Sequence, residues 1–333
     1  MRCAVVGAGA WGTALADLLA RNGHETLIWA REEDVTQSIN DRNENLRFLA
    51  GARLSPRLRA TSDLPQALDG SPELVVFAPP SQVLRRMAAD ARRCLRSSPI
   101  AVIASKGIEL ETFALMTGIV AEEMRDSSVV ALSGPSFAAE VAARQPTAVV
   151  AASSDEDAAV VTQRAFSAPE FRVYTHDDVI GVELGGALKN VMAVATGICE
   201  GLGLGFNSRA ALITRGLAEI GRLATALGAR RETLAGLAGL GDLVLTCTGT
   251  LSRNRHVGIE LAHGRLLPDI VGGMKMVAEG VRTTDAALAL GERAGIELPI
   301  TTQMGEVLSG RRTVRDAVGE LMLRPQRAEP EPG

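Results

Sequence analysis

Aromatic side chains are scarce: Phe, Trp and Tyr make up 3% of the 333 residues, too few for the stacking platforms that grip single-stranded nucleic acid. Positive charge is not in excess either. The net formal charge is −4, which argues against a general electrostatic hold on phosphate backbones and leaves no nucleic-acid partner expected. Cys3, Cys94, Cys199 and Cys247 are scattered without a C-x-x-C pair, so they read as reduced thiols of a cytoplasmic protein. His24, His176, His256 and His263 show no i, i+4 pairing, and no metal is expected. No apolar stretch approaches the roughly 18 residues of a membrane span. The first glycine turn comes at Gly7, so no secretory leader is expected. We therefore expect no stable membrane insertion.

Lysine is the scarcest of the common charges. Lys106, Lys189 and Lys275 are the three, so 35 − 3 = 32 of the basic residues are Arg. Arg does not release a proton near neutral pH, whereas a desolvated Lys does. A lysine kept against such a background is a candidate for work that arginine cannot do, with chance as the alternative.

What the chain has in plenty is Ala, Val, Leu and Ile, within a 46% hydrophobic composition. At about 150 residues per domain the length corresponds to roughly two domains. The first half alternates short apolar runs with helical patterns. The runs are RCAVV (2–6), ETLIWA (25–30), ELVVFA (73–78), IAVIAS (100–105), SVVALS (128–133), TAVVAAS (147–153) and FRVYT (171–175). Helical patterns cover 13–21, 82–95 and 109–124. Runs without polar alternation predict strands buried on both faces of a parallel sheet. From about residue 181 helical periodicity takes over, at 182–196, 208–227, 252–263, 284–294 and 303–308. The expected fold is α/β: a Rossmann-type doubly wound sheet over residues 1–178, then an all-helical substrate and catalytic domain over 179–324. The tail 325–333, rich in Pro and charge without an apolar anchor, is expected to be disordered.

Gly7-Ala8-Gly9-Ala10-Trp11-Gly12 fits G-x-G-x-x-G between a predicted strand and a predicted helix, the context in which this motif binds a dinucleotide. Gly7 permits the turn, Gly9 lets backbone approach a pyrophosphate, and Gly12 lets the helix pack on the strand. The helix start then faces the phosphates with free N–H groups. The second strand ends in Trp29-Ala30-Arg31, and Arg31 favours the 2′-phosphate of NADP. Glu32 and Glu33 follow directly, so NAD remains open as the cofactor.

Other motifs fall where ligands gather in open sheets, at the carboxyl ends of strands. Ala104-Ser105-Lys106-Gly107 places Lys106 in the crevice. Ser133-Gly134-Pro135-Ser136-Phe137-Ala138 reads as a helix start with Ser133 or Ser136 as cap and Glu140 in the first turn. Pro79-Pro80-Ser81 reads as a rigid turn. In the helical half, Lys189 and Asn190 stand in an otherwise apolar helix after Gly185 and Gly186, which weaken a helix by about 1 kcal/mol each and suggest close approach by another group. Asp242 interrupts a run of small and apolar residues and needs a partner. Ser252-Arg253-Asn254-Arg255 offers donors at a helix start, suited to a phosphate.

Taken together, GAGAWGTALA, ASKG, SGPSFAAE, GVELGGALKNVMA, NSRAALITRGLAEI, AGLGDLVLTCT, SRNR and VAEGVRTT closely resemble the bacterial NAD(P)-dependent glycerol-3-phosphate dehydrogenases over about residues 2–322. The resemblance implies reversible reduction of dihydroxyacetone phosphate to sn-glycerol 3-phosphate for glycerophospholipid synthesis, in a cytoplasmic homodimer acting on a small phosphorylated substrate. It implies that Lys189 is the proton donor, with Lys106 and Asp242 as substrate contacts and its supports. Gly134, Ser136, Asn190, Thr246, Ser252, Arg253 and Asn254 fall at matching substrate positions. Ala10, Trp11, Arg31, Lys106, Ala138, Arg253, Val277 and Glu279 fall at matching cofactor positions, and Asn45–Leu49 borders the cofactor, with Phe48 left out of the site. Ala10 stands where Ser is common, so a backbone contact survives there and a side-chain hydrogen bond does not. Two other readings stay open: a related two-domain dehydrogenase acting on ketopantoate or a β-hydroxy acid, and a dinucleotide-binding sensor without catalysis.

Overall fold

The computed structural model describes residues 1–333 except 275, 327 and 330–333. Lys275 and most of the carboxyl-terminal end of the chain therefore lie outside the described residues; in the expected tail, 325, 326, 328 and 329 are exposed and belong to no helix or strand.

The first half runs β1 (Arg2–Val6), α1 (Ala10–Arg21), β2 (Glu25–Trp29), α2 (Glu33–Arg42), β3 (Arg59–Thr61), α3 (Leu64–Leu68), β4 (Leu74–Phe77), α4 (Leu84–Cys94), β5 (Ile100–Ile103), α5 (Met116–Glu123), β6 (Val129–Ser133), α6 (Ala138–Ala142), β7 (Thr147–Ala152), α7 (Glu156–Phe166) and β8 (Phe171–His176). The eight strands form one sheet in the order β3-β2-β1-β4-β5-β6-β7-β8. Along β1 and β4, alternate residues belong to different cores: Val5 and Val76 face α1, while Val6 and Phe77 pack with Leu84 and Ile119. Both faces are covered, which is why these strands read as unbroken apolar runs. The order reverses between β1 and β4, and that switch point opens the crevice in which such sheets bind ligands.

The structure departs from the expected parallel sheet in one pair: β6 and β7 are antiparallel. Their connection holds only the five-residue α6, too little helix to carry the chain back across the sheet for a parallel return. The edge strand β8 alternates buried and exposed residues along Phe171–Tyr174, as a strand covered on one face does. The stretch expected to be helical over 109–124 is helical only from Met116. Before it, Ile108 bridges Leu115, and Phe113 takes a positive φ of 60°.

The helical half comprises α8 (Val179–Gly201), α9 (Phe206–Ala226), α10 (Arg231–Leu234), α11 (Asp242–Thr248), α12 (Arg253–Ala262), α13 (Leu267–Gly272), α14 (Glu279–Ala294), α15 (Pro299–Leu308) and α16 (Val314–Met322). Helix α8 is the axis of this half. Asp178 caps it by accepting from Gly181 N–H, and α9, α11, α12 and α14 all pack on it. The expectation that no apolar stretch approaches the length of a membrane span fails at α8, which is long and apolar enough to cross one by length and composition because Glu183, Lys189 and Asn190 interrupt it too sparsely to lower its mean hydropathy. Some 83% of its most apolar window is buried inside the protein, as befits a core helix. Close packing uses glycine: a Cβ on Gly197 would lie 2.0 Å from Arg255 O, and one on Gly258 would lie 2.0 Å from Val194 O.

Candidate active site

Three elements bring charge to one point. Lys106 leaves the end of β5, Lys189 projects from the middle of α8, and Asp242 opens α11 directly after a π-helical turn, Leu237–Gly241. Such a turn re-aims the residues that follow it and often marks a functional site. Asp242 is 1% exposed. Its Oδ2 accepts from Lys106 Nζ at 2.6 Å, and its Oδ1 accepts from Lys189 Nζ. Lys189 also donates to Thr246 Oγ1 at 2.9 Å. Thr246 lies one helical turn beyond Asp242 on the same face of α11 and donates to Asp242 Oδ1 at 3.3 Å.

The electrostatics follow from burial. Desolvation pushes Lys189 down to about 7, helped by the neighbouring Lys106 ammonium and opposed by Asp242. Burial alone would raise Asp242, but the Lys106 and Lys189 ammoniums together hold its carboxyl below the usual range. The result is an ionised carboxylate between two lysines, one of which gives up its proton near neutrality.

Glycines make the approach possible. A Cβ on Gly185 would stand 2.7 Å from Ala238 O in the π-helical turn, and one on Gly186 would stand 2.7 Å from Ser133 Oγ. The close approach expected from this glycine pair is therefore present. Gly134 has φ +140°, and its carbonyl accepts from Lys106 Nζ at 3.1 Å and from Ser136 Oγ at 3.0 Å. The expected serine cap of α6 is absent: Phe137 occupies that position and makes no side-chain cap bond, because Ser136 turns back to Gly134 and Ser133 points toward α8.

A second cluster adjoins the first through Asn190. Its Oδ1 accepts from Asn254 Nδ2 at 2.9 Å, and Asn254 Oδ1 accepts from Gly280 N–H at 2.9 Å. Ser252 caps α12 by accepting from Arg255 N–H, so the expected helix start is observed. Arg253 is exposed and donates to Val277 O at 2.8 Å. Glu279 reaches back to the sheet half, accepting from Ser81 N–H at 3.1 Å and Ser81 Oγ at 2.7 Å. This clasp across the two halves was not visible in sequence, where Ser81 read only as part of a turn.

The glycine turn fits a dinucleotide. Gly7 has φ +115°, and a Cβ on Gly12 would stand 1.9 Å from Gly7 O, whereas one on Gly9 would meet nothing within 4 Å. Gly9 is thus the open approach to backbone that a pyrophosphate needs, at the start of a helix without a side-chain cap. Ala10 and Trp11 begin α1, and the buried Trp11 Nε1 has no hydrogen-bond partner among the described residues. Asn45, fully buried, donates to Ala8 O at 3.0 Å and to Thr13 Oγ1 at 2.9 Å, tying the segment before Leu49 to the turn. Ala138 starts α6, which packs on α1. Arg31 lies apart from the lysine group, exposed at the end of β2 and paired with Glu32 at 2.7 Å.

Sequence reading also gave no role to Glu183. It is buried in the first turns of α8, accepts from Thr117 N–H at 2.9 Å, and is pushed up to about 7 by desolvation. A carboxylate inside an apolar helix was the available signal.

Comparison with known proteins gives a consistent result. Family models described as the N-terminus and the C-terminus of NAD-dependent glycerol-3-phosphate dehydrogenase match residues 2–159 and 178–319. The chain is 52% identical over 331 residues to glycerol-3-phosphate dehydrogenase [NAD(P)+] of Citrifermentans bemidjiense, covering 98% of each chain. It is 53% identical over 333 residues to the enzyme of that name from Koribacter versatilis, covering 98% of each. Among solved structures it matches glycerol-3-phosphate dehydrogenase from Coxiella burnetii with a TM-score of 0.93 and 39% identity, over 97% of this chain and 99% of that one. A ketopantoate reductase from Ralstonia eutropha shares the fold alone, at 19% identity and a TM-score of 0.60.

Proposed function

The chain belongs to the NAD-dependent glycerol-3-phosphate dehydrogenase family, and from that premise we propose how its residues carry the reaction. The reaction is the NAD(P)-dependent interconversion of dihydroxyacetone phosphate and sn-glycerol 3-phosphate, a supply of glycerol phosphate for phospholipid synthesis. The observation that carries the assignment of roles is the Lys106–Asp242–Lys189 group.

A nicotinamide held at the glycine turn would supply the hydride for the carbonyl carbon. The chain must then manage the charge that develops on the substrate oxygen and the proton that neutralises it. Lys189 does both: its ammonium stabilises the oxygen and then releases a proton to it. An Arg in this position would stabilise without releasing. Asp242 orients Lys189 and offsets the charge of two ammoniums in a buried space. Lys106 supplies the second cation, and Gly134 O fixes it. Thr246 holds Lys189 from the far side.

Arg253, Ser252 and Asn254 lie at the start of α12, where N–H groups and the helix dipole favour an anion. We assign them to the substrate phosphate, with Gly134, Ser136 and Asn190 completing the pocket. Gly7, Gly9, Ala10, Trp11, Gly12, Arg31 and Ala138 would hold the dinucleotide, with Lys106, Arg253, Val277 and Glu279 closing over it from the other half. We take residue 178, the cap of α8, as the division between the two halves. A homodimer in the cytoplasm is the assembly and place we assign. Its support is the α9 face around Phe206, which is 83% exposed in a single chain, and sedimentation velocity showing only monomer at working concentration would remove it.

The test of the function is loss of reduced-nicotinamide absorbance with dihydroxyacetone phosphate, run with NADH and NADPH in parallel. Turnover with either is the expected result. Silence with both, with cofactor binding demonstrated, would sink the reading.

A further inference from the structure

Behind Lys106, the ends of β5 and β6, the start of α5 and the first turns of α8 enclose a cavity of about 10 Å³. Ser105, Lys106, Ser133 and Glu183 are the polar residues in its lining. Ser133 Oγ is buried there with no hydrogen-bond partner among the described residues, which is unusual for a hydroxyl in a protein interior. Glu183 takes the Thr117 N–H and hydroxyl on its two oxygens, and a carboxyl has further hydrogen-bonding capacity beyond those two contacts. A space of this size admits about one water, provided polar partners surround it. Ser133 and Glu183 are such partners.

We infer that Glu183 is a positioning residue of the lysine–aspartate group, acting on Lys106 through one internal water that it shares with Ser133. The inference rests on the reading of Lys189 as proton donor and adds what sets that donor's proton affinity.

Among the described residues, few charged groups line the cavity around Glu183. From α5 it meets Thr117 and Met116, both neutral, and from β6 it meets Ser133, also neutral. From the end of β5 comes Lys106, the one other charged residue in the cavity lining. Lys106 in turn bonds Asp242, which bonds Lys189 on α8 itself. An ionised Glu183 therefore shares its cavity with Lys106, the near end of that chain of charges, and in a low-dielectric interior its charge favours the protonated form of Lys189. A protonated Glu183 does not. Burial brings Glu183 to about 7 and Lys189 to about 7, so the two titrate over one range, and the loss of a proton from Glu183 strengthens the hold on the proton at Lys189.

The experiment is the pH profile of kcat and kcat/KM for dihydroxyacetone phosphate reduction, from about pH 5.5 to 9, with melting temperatures recorded alongside. The proteins are the wild type, Glu183→Gln, Ser133→Ala and Lys189→Arg. Gln keeps a hydrogen-bonding partner for Thr117 but cannot ionise. The expected result is a falling limb moved about half a pH unit to one pH unit lower in Glu183→Gln, and moved the same way by less in Ser133→Ala. A merely structural carboxyl would lower the melting temperature and leave the limb in place. If Glu183→Gln fails to fold, Ser133→Ala decides alone. A limb that vanishes with Lys189→Arg but stays fixed in the other variants overturns this inference and spares the proton donor. A limb retained, with full turnover, in Lys189→Arg removes the premise and the inference with it.

Discussion

Lys189 and Asp242 meet from different helices, 53 residues apart in sequence, with the lysine Nζ on Asp242 Oδ1 and Lys106 on the other oxygen. Lys106 comes from the sheet half and the other two from the helical half. The group therefore exists only when the two halves are packed, and Glu279 on Ser81 fastens them at the same edge. That arrangement makes the charge state of one buried lysine depend on tertiary packing, and the first two predictions follow from it.

Replacing Lys189 separates charge from proton delivery. Lys189→Arg keeps a cation beside Asp242 but offers no proton, so kcat should fall at least about 100-fold, the lower end of what a positioned general acid contributes. The dissociation constant for the dinucleotide should stay within about twofold, because the glycine turn is untouched. Single-turnover kinetics and fluorescence titration check the two numbers, and unchanged turnover would remove Lys189 from the mechanism.

The pH dependence has a definite sign in each direction. With Lys189 as the proposed proton donor, the rate of reduction should fall as pH rises through about 7, and the rate of oxidation, which uses the neutral amine, should rise through the same range. Stability responds too. Lys189 is lowered from 10.5 to about 7, so between those values the unfolded chain holds a proton that the folded chain lacks, and stability rises with pH. Glu183 is raised from 4.5 to about 7. Across that window the folded chain holds the extra proton, and stability falls with pH. Urea midpoints measured from acid to alkaline pH should show a shallower falling slope in Glu183→Gln, the remainder coming from buried Glu219, which is raised likewise, and a shallower rising slope in Lys189→Met.

Much of the architecture was legible because buried strands and amphipathic helices write their periods into sequence. The β1–turn–α1 unit is plain in RCAVVGAGAWG. Strand β3 was not, because three residues, Arg59–Thr61, make no apolar run. The reversal at β7 left no mark, since a strand buried on both faces reads the same in either direction. The helix expected before Met116 failed at Phe113, where a positive φ breaks the pattern. Within the site, the need of Asp242 for a partner could be read from its apolar neighbours. The clasp of Ser81 by Glu279 spans 198 residues, and the pairing of Asn190 with Asn254 spans 64. Neither is written in any local pattern.

Cofactor choice should shift only modestly at β2. Arg31 is the side chain we assign to a 2′-phosphate, yet it already pairs with Glu32, and the arginine side chain is 78% exposed. An exposed pair of this kind contributes about 1 kcal/mol or less, hence at most about fivefold in preference. Glu32→Gln should raise the ratio of kcat/KM for NADPH over NADH within that limit. Arg31→Ala should lower the same ratio. A ratio indifferent to both would place recognition of the 2′ position elsewhere.

Two glycines in the helical half predict opposite outcomes for the same substitution. Gly258 lies where α12 crosses α8, and a Cβ there would stand 2.0 Å from Val194 O and 2.8 Å from Ile198 N. Backbone cannot yield as a flexible side chain does, so the two helices would have to separate. Overpacking of this kind costs about 3 kcal/mol or more. It would also shift Asn254 from Asn190, so KM for dihydroxyacetone phosphate should rise even at temperatures where the protein is folded. Gly221 lies within α9, where an added Cβ meets nothing within 4 Å. There the methyl only restrains the unfolded chain and favours helix, and Gly221→Ala should gain about 0.5–1 kcal/mol. Urea unfolding of both variants, with KM measured in parallel, checks the pair. If Gly258→Ala were as stable as the wild type, the close crossing of α8 and α12 would not be the contact that holds Asn190 and Asn254 together.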